Sequence, residues 1–492
     1  MPKIVFIDAP TTPQERIGKL SAIIDLSRDR PHLGILTLAA LAREKKWGVA
    51  VIDPYPFQWS DEEIGRQVVE FGPDAVGISA HTLGIINGNR LAGVLKKKLP
   101  DIPIFIGGPH VTSAPVETLT EFPYYDIGVT GEAEETLLEL LPLIERKQVA
   151  EEQLRNIDGL VFRSEEGRVI VNKRRSYMMN LDTLPMPAWD LLPQYPFLYT
   201  PSLASGAGSK ATGSLFSTRG CPWRCKFCDR GVFGDTLRKF SAKYVMNQIL
   251  HLYHVYGIRE MMFGDDTLFV DKERMLKLSE LILESGIHIR WECMSRVVDA
   301  DEKLYQAVKR AGCFEVSYGI ESADDRISQL IFKPINQRTI RRAIEITKKA
   351  GIRARGYFIF GLPGETKETL NTTRNFILNS GLDDVAIFAC TPYPGSALYS
   401  MASEYGVFEK RWNKMNNVET VFVPHGLSVD YIEQMRMKTM RKFYLNPRFV
   451  YRWARNLVKE SGWKELGRRG GLYTRFFANV LKEFAGGLGR GA

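Results

Sequence analysis

The order of apolar and polar positions divides the chain into two alternating stretches and an aperiodic middle. In the first 145 residues, apolar runs at Lys3–Asp8, Val49–Asp53, Ala75–Ser79, Ile102–Ile106 and Ile127–Val129 predict strands. Helical spacing lies between them, as in Ile35–Glu44 and the stretch that ends at Lys98. Such alternation predicts a parallel sheet covered on both faces. It resumes at Leu215, with strands predicted at Leu215–Ser217, Glu260–Phe263, His288–Glu292, Glu315–Tyr318, Arg353–Phe360 and Asp384–Ala389. Helices are predicted between these, including Asp301–Ala311 and Gln337–Ala350. Six βα units in about 180 residues predict a partial barrel.

In the middle, IDGLVFRSEEGRVIVNKR predicts a β-hairpin turning at its Glu-Glu-Gly. LDTLPMPAWDLLP, with Pro185 and Pro187, predicts an extended connector, and SLASGAGSKATGS a mobile loop. Residues 428–492 have helical spacing, with Phe449, Trp453 and Leu457, then Phe476, Val480 and Phe484, recurring every four positions. The expected fold is α/β. Residues 1–148 form a doubly wound, Rossmann-like domain, and 149–209 a hairpin and linker. Residues 210–400 form a partial (β/α)6 barrel, and 401–492 a mainly helical basic region.

Composition adds three constraints. With 492 residues, the chain is too long for one ordinary core. The balance of 44% hydrophobic and 25% charged residues is that of a soluble globular protein, and no run of eighteen apolar residues appears. MPKIVFIDAP leads straight into a strand pattern without signal-peptide features, so the expected address is the cytoplasm. The formal charge of +9 is local: residues 436–492 hold 14 Lys and Arg against 3 Asp and Glu. Two readings of that tail stay open. It is a packing face with a solvated basic side, or a surface for an anionic partner such as a membrane. No RNA-binding module is present, so nucleic acid is not an expected partner.

Of six cysteines, Cys221, Cys225 and Cys228 fall within eight residues, whereas Cys293, Cys313 and Cys390 stand alone in apolar contexts. This is a metal or cluster site with buried thiols, not a disulfide framework. The motif STRGCPWRCKFCDRG spaces its thiols C-x3-C-x2-C. Three thiolates can hold three irons of a [4Fe–4S] cubane and leave the fourth open. Zinc sites usually take four protein ligands. His251 and His254 are more than twenty residues away, inside a helical pattern.

Over residues 210–400 these motifs resemble the radical S-adenosylmethionine (SAM) superfamily. The resemblance implies that SAM chelates the open iron, with Phe227 against its adenine. MMFGDDTLF resembles the segment that grips the SAM amino group, leaving Asp265 and Asp266 as alternatives. Arg296, in WECMSRV, is implied as the carboxylate partner, and Glu321, in VSYGIES, as the ribose contact. GYFIFGLPGET implies an approach of Ile359 and Gly361 to the adenine, and ACTPYPGSALY resembles the strand end of cobalamin-type members. The first domain, with PHLGILTLAALA and IGGPHVT, resembles the cobalamin-binding domain that precedes such barrels. Ser79, Thr82, Gly107, Gly108, Pro109, Gly131 and Glu132 are then the implied cobalamin contacts. The chain lacks the Asp-x-His-x-x-Gly loop whose histidine ligates cobalt. His81 and His110 are therefore read as loop or outer-shell residues.

The resemblance implies a [4Fe–4S] cluster, SAM and cobalamin as cofactors, and a flavodoxin or ferredoxin as electron donor. The expected activity is class B-type methylation of an unactivated carbon in a small molecule, lipid or peptide side chain. Radical ring closure, ring contraction or oxidation on the same scaffold is the alternative. A non-catalytic electron-transfer or scaffold role is a further one.

Overall fold

The computed structural model describes residues 1–18, 30–199 and 211–461. Most of the SLASGAGSKATGS loop, and Phe476, Val480 and Phe484 of the tail, lie outside the described residues. Among the described residues no helix is long and apolar enough to cross a membrane.

The first sheet contains β1 (Lys3–Asp8), β2 (Gly48–Ile52), β3 (Ala75–Ser79), β4 (Ile104–Gly107), β5 (Ile127–Val129), β6 (Leu160–Arg163) and β7 (Val169–Val171). Their order is β2-β1-β3-β4-β5-β6-β7. The first five are parallel, and β6 and β7 are antiparallel. The hairpin assigned to the linker thus extends the first sheet. Leu160, Val161 and Phe162 are buried against its core, and that burial offsets the cost of ordering the hairpin. β1 lies next to the edge, with β2 on one side and β3 on the other. The strand order reverses there, and open α/β sheets present their ligand crevice at such a point.

The barrel sheet is all parallel. Its strands are β8 (Thr212–Leu215), β11 (Glu260–Phe263), β12 (Arg290–Ser295), β13 (Cys313–Glu321), β14 (Arg353–Phe360) and β15 (Asp384–Ala389), in that spatial order. Between β8 and β11, β9 (Thr218–Arg219) and β10 (Arg238–Lys239) pair antiparallel and bracket the cysteine loop. β16 (Gly406–Phe408) and β17 (Phe422–Pro424) form a small pair beyond the barrel. Side-chain oxygens at Ser241, Asp271, Asp301 and Asn336 cap the barrel helices that follow them. Each accepts from a backbone N–H that the first helical turn would leave unpaired.

The lower barrel interior is charged. Glu315 is fully buried between Arg353 at 3.5 Å and Arg355 at 3.1 Å, and Arg355 also pairs with Asp384 at 2.6 Å. Arg30, from the first domain, meets Glu292 at 3.0 Å. In the tail, the helix Pro447–Ser461 lays Phe449 on Phe443 and Tyr444 at 5.1 and 5.2 Å, with Trp453 packed on the barrel core. Tyr451 on the same helix is exposed.

Candidate active site

A cavity of about 740 Å³ lies where the two sheets face each other. One wall is the switch point of the first sheet: Asp8 and Ala9 after β1, His81 to Gly84 after β3, and Pro109 after β4. The other is the barrel mouth, with Phe227, Cys228, Glu321, Tyr357, Ile359 and Phe388. Both faces present the carboxyl ends of parallel strands, where such folds place ligands.

The cysteine loop follows β9 and depends on a glycine. Gly220 has φ +85°, and a Cβ there would lie 2.3 Å from the Thr236 carbonyl. Only glycine accepts both conditions. Burial pushes the Cys221 thiol up, and pushes Cys228 up to about 12, with further contributions from Asp266 and the neighbouring cysteines. Thiolates gathered this closely need positive compensation, and Arg296 supplies some. Its guanidinium stacks on Trp223 at 4.0 Å and donates from Nη1 to Cys225 Sγ at 3.8 Å. Among the described residues no group of three or more His, Cys, Asp or Glu converges on a single metal ion. Three clustered thiols beside a buried guanidinium nonetheless fit a soft, negatively charged iron–sulfur cluster as a donor set.

The acidic pair divides its labour. Asp265 is buried, and its Oδ1 accepts from Ser217 N, Ser217 Oγ and Thr218 Oγ1 at 3.0, 2.9 and 2.6 Å. Burial raises its carboxyl despite those bonds. Asp265 therefore ties β11 to the strand leading into the cluster loop. Asp266 is the exposed member, available to a ligand. Glu321 lines the cavity, and Lys333 donates to its Oε1 at 2.8 Å. Gly361 donates its N–H to Glu365 Oε2 at 2.7 Å, and so serves the turn after β14 rather than the cavity wall.

The first-domain candidates also separate. Thr82 and Pro109 line the cavity; Ser79, Gly107, Gly108, Gly131 and Glu132 do not. Ser79 Oγ bonds His32 Nε2 at 3.1 Å, and Thr82 Oγ1 bonds His110 Nδ1 at 3.2 Å. Gly108, at φ +102°, packs so closely on Ala80 that a Cβ would lie 2.8 Å from its carbonyl. Nothing lies within 4 Å of a Cβ built on Gly131, an open cradle beside the strand ends. Small residues at the switch point, Ala9 and Gly84 among them, line the cavity and leave room for a bulky group such as a corrin. Burial lowers both His32 and His110 to about 4, so each is neutral at physiological pH. His110 is buried behind the wall, edge-on to Trp412 at 4.9 Å, whereas His81 lines the cavity.

Glu132 makes buried ion pairs. Its carboxylate accepts from Arg219 at 2.9 Å, from Arg238 at 2.6 Å and from Met178 N at 3.0 Å. Arg219 also pairs with Glu134 at 2.5 Å. This network joins the loop after β5 to the β9–β10 pair that brackets the cysteines. Ser113 reinforces the join, donating to Asp229 Oδ2 at 2.7 Å one residue past Cys228. The sequence reading missed Arg30, Lys333, Tyr357 and Asp229. Asp229 and Tyr357 carried a local signal, since each lies inside a recognised motif, whereas Arg30 and Lys333 did not.

The radical SAM superfamily profile matches residues 215–377, and the B12 binding domain profile matches residues 22–141. An uncharacterised methyltransferase of Pyrococcus horikoshii is 32% identical over 85% of this chain and 89% of its own length. The anaerobic magnesium-protoporphyrin IX monomethyl ester cyclase of Rubrivivax gelatinosus is 26% identical over 82% of this chain and 71% of its own. Among solved structures, the radical SAM methyltransferase TsrM of Kitasatospora setae, with cobalamin and a [4Fe-4S] cluster bound, superimposes with a TM-score of 0.65. It is 15% identical and covers 91% of this chain and 82% of its own, a likeness of fold. With both profiles in this order and a relative matched over nearly its whole length, the chain belongs to the cobalamin-dependent, methylase-like radical SAM family.

Proposed function

We propose that the chain is a C-methyltransferase that cleaves SAM reductively and methylates an unactivated carbon of a substrate held between its two domains. The carrying observation is the two-walled cavity: one substrate carbon can face the barrel mouth and the first-sheet switch point together. When bound, the cluster supplies the electron for SAM cleavage and cobalamin supplies the methyl group. Everything else is positioning by the chain. Cys221, Cys225 and Cys228 would hold the cluster. Arg296 would meet the SAM carboxylate, Asp266 its amino group and Glu321 its ribose. Phe227 and Ile359 would flank the adenine. Ala9, Gly84 and Pro109 would border the corrin, while Tyr357 and Phe388 keep water from the reacting carbon. The substrate is a small molecule, a lipid or a peptide side chain, and the electron donor a flavodoxin or ferredoxin.

The test is anaerobic turnover of the reconstituted protein with methyl-deuterated SAM, a reductant and candidate substrates, read by mass spectrometry. Transfer of the labelled methyl group is expected. Replacing Cys221, Cys225 and Cys228 together by Ala should abolish cluster absorbance and SAM cleavage. The likeness to the cyclase favours a second reading, radical ring closure or oxidation. A product that carries no labelled methyl group and lacks the CH2 increment would establish it. Failure to cleave SAM under any reductant would leave an electron-transfer or scaffold role.

A further inference from the structure

We propose that Lys333 is a positioning residue for SAM, holding Glu321 ready for the ribose and fixing its distance from the cluster loop. This rests on the reading of Glu321 as the ribose contact.

Four observations converge on Lys333. First, its Nζ donates to Glu321 Oε1 at 2.8 Å, with side-chain exposures of 8% and 9%, so solvent screens the pair weakly. Glu321 Oε2 has no hydrogen-bond partner among the described residues, and Glu321 lines the cavity. One oxygen is anchored and the other is left to accept from a ligand hydroxyl.

Second, the backbone is shaped around this pair. Glu321 has φ +64°, a left-handed conformation uncommon outside glycine. The register between β13 and β14 slips between Gly319 and Glu321. A Cβ on Gly319 would lie 2.7 Å from both Lys333 Nζ and Glu321 Oε1, so the pair occupies space that Gly319 leaves open. Strain of this kind persists where the surroundings over-determine it, and it collects at ligand sites.

Third, the turn that carries Lys333 also grips the cysteine loop. Lys226 N donates to Ile331 O at 3.0 Å, and Leu398 N donates to Lys226 O at 2.8 Å. Lys226 Nζ sits 4.5 Å from the Phe332 ring centroid. Fourth, Lys333 Nζ lies 5.8 Å from the ring centroid of Phe227, the residue assigned to the adenine. Residues 331–333 therefore touch the cluster loop through backbone and the ribose carboxylate through a side chain. SAM would span these two points, so their separation would set where its adenosine sits relative to the cluster loop.

The experiment measures calorimetric binding of SAM and its 2′-deoxy and 3′-deoxy analogues to the oxidised, cluster-loaded protein. Parent, Glu321→Ala, Lys333→Met, Lys333→Gln and Lys333→Arg are compared, with cluster absorbance and melting as controls. The parent should prefer SAM over at least one deoxy analogue by on the order of ten-fold. Glu321→Ala, which removes every acceptor, should erase that preference. Lys333→Met and Lys333→Gln should erase it too with the cluster intact, while Lys333→Arg keeps most of it. If Glu321→Ala still discriminates, the ribose reading itself falls. If Glu321→Ala loses discrimination but Lys333→Met and Lys333→Gln keep it, only the role of Lys333 is overturned. If both neutral variants lose the cluster, Lys333 is structural and the proposal is likewise overturned.

Discussion

At the residue scale, burial decides what each carboxyl does. Asp265 and Asp266 are adjacent in sequence, but only Asp265 organises three donors. Asp265→Ala would leave those donors unpaired in a buried setting and should cost about 2–4 kcal/mol. Asp266→Asn should leave the melting temperature unchanged yet weaken SAM binding. Thermal melts and calorimetry on both variants separate these outcomes. Glu365 offers a pH test. Burial pushes its carboxyl up to about 8, against the lowering effect of the Gly361 and Leu362 N–H groups. The folded protein therefore holds a proton that the unfolded chain releases near the ordinary carboxyl range. The stability from this group is full below that range and is lost as pH rises to about 8. Glu365→Gln keeps a carbonyl acceptor without the titration, so its melting temperature should fall less than the parent's between about pH 5 and 8.

At the element scale, the strands most legible in the sequence are apolar runs closed by a turn. Glu260–Phe263, Arg353–Phe360 and Asp384–Ala389 match their predicted bounds. β8 shifts from the expected Leu215–Ser217 to Thr212–Leu215, because small residues, Thr212 to Ser214, are buried there without an apolar signature. The hairpin is legible in its own pattern, but its partner, β5, is set by long-range pairing that local pattern does not encode. The cysteines were legible because cluster spacing is local. Arg30 was not, since its partner Glu292 lies 262 residues away. The turn before Cys221 permits a sharp test. Gly220→Ala forces both a disfavoured φ and a contact with the Thr236 carbonyl, so cluster loading should drop strongly while the first domain still binds cobalamin. Iron content and cobalamin absorbance of one preparation measure both.

At the scale of the whole molecule, the two domains are joined by charge that water does not reach. Arg219, Arg238, Glu132 and Glu134 are each at most 9% exposed at the side chain. Removing one member leaves a buried charge unpaired, at a cost of about 3–5 kcal/mol. Glu132→Gln should therefore let the domains separate more readily, detected as faster hydrogen exchange in β9 and β10. It should also raise SAM cleavage that yields no methylated product. The tail helix is a packing element on one side, since Phe449 and Trp453 contact the barrel core. Truncation after Asn446 should expose Phe443 and reduce solubility, a loss that added salt does not reverse.

The Glu132 network also bears on exchanging parts between relatives. Its acids come from the loop after β5 and its bases from the strands flanking the cysteines, so neither domain carries a complete set. A chimaera that takes its first domain from another family member inherits a foreign loop opposite Arg219 and Arg238. Unless that loop brings matching carboxylates, two guanidinium groups are sealed at the seam with no counter-charge. A graft that carries residues 131–135 of this chain along with the barrel would keep the seam neutral. Recombination boundaries in this architecture are thus better drawn around the charge set than at the end of the first sheet.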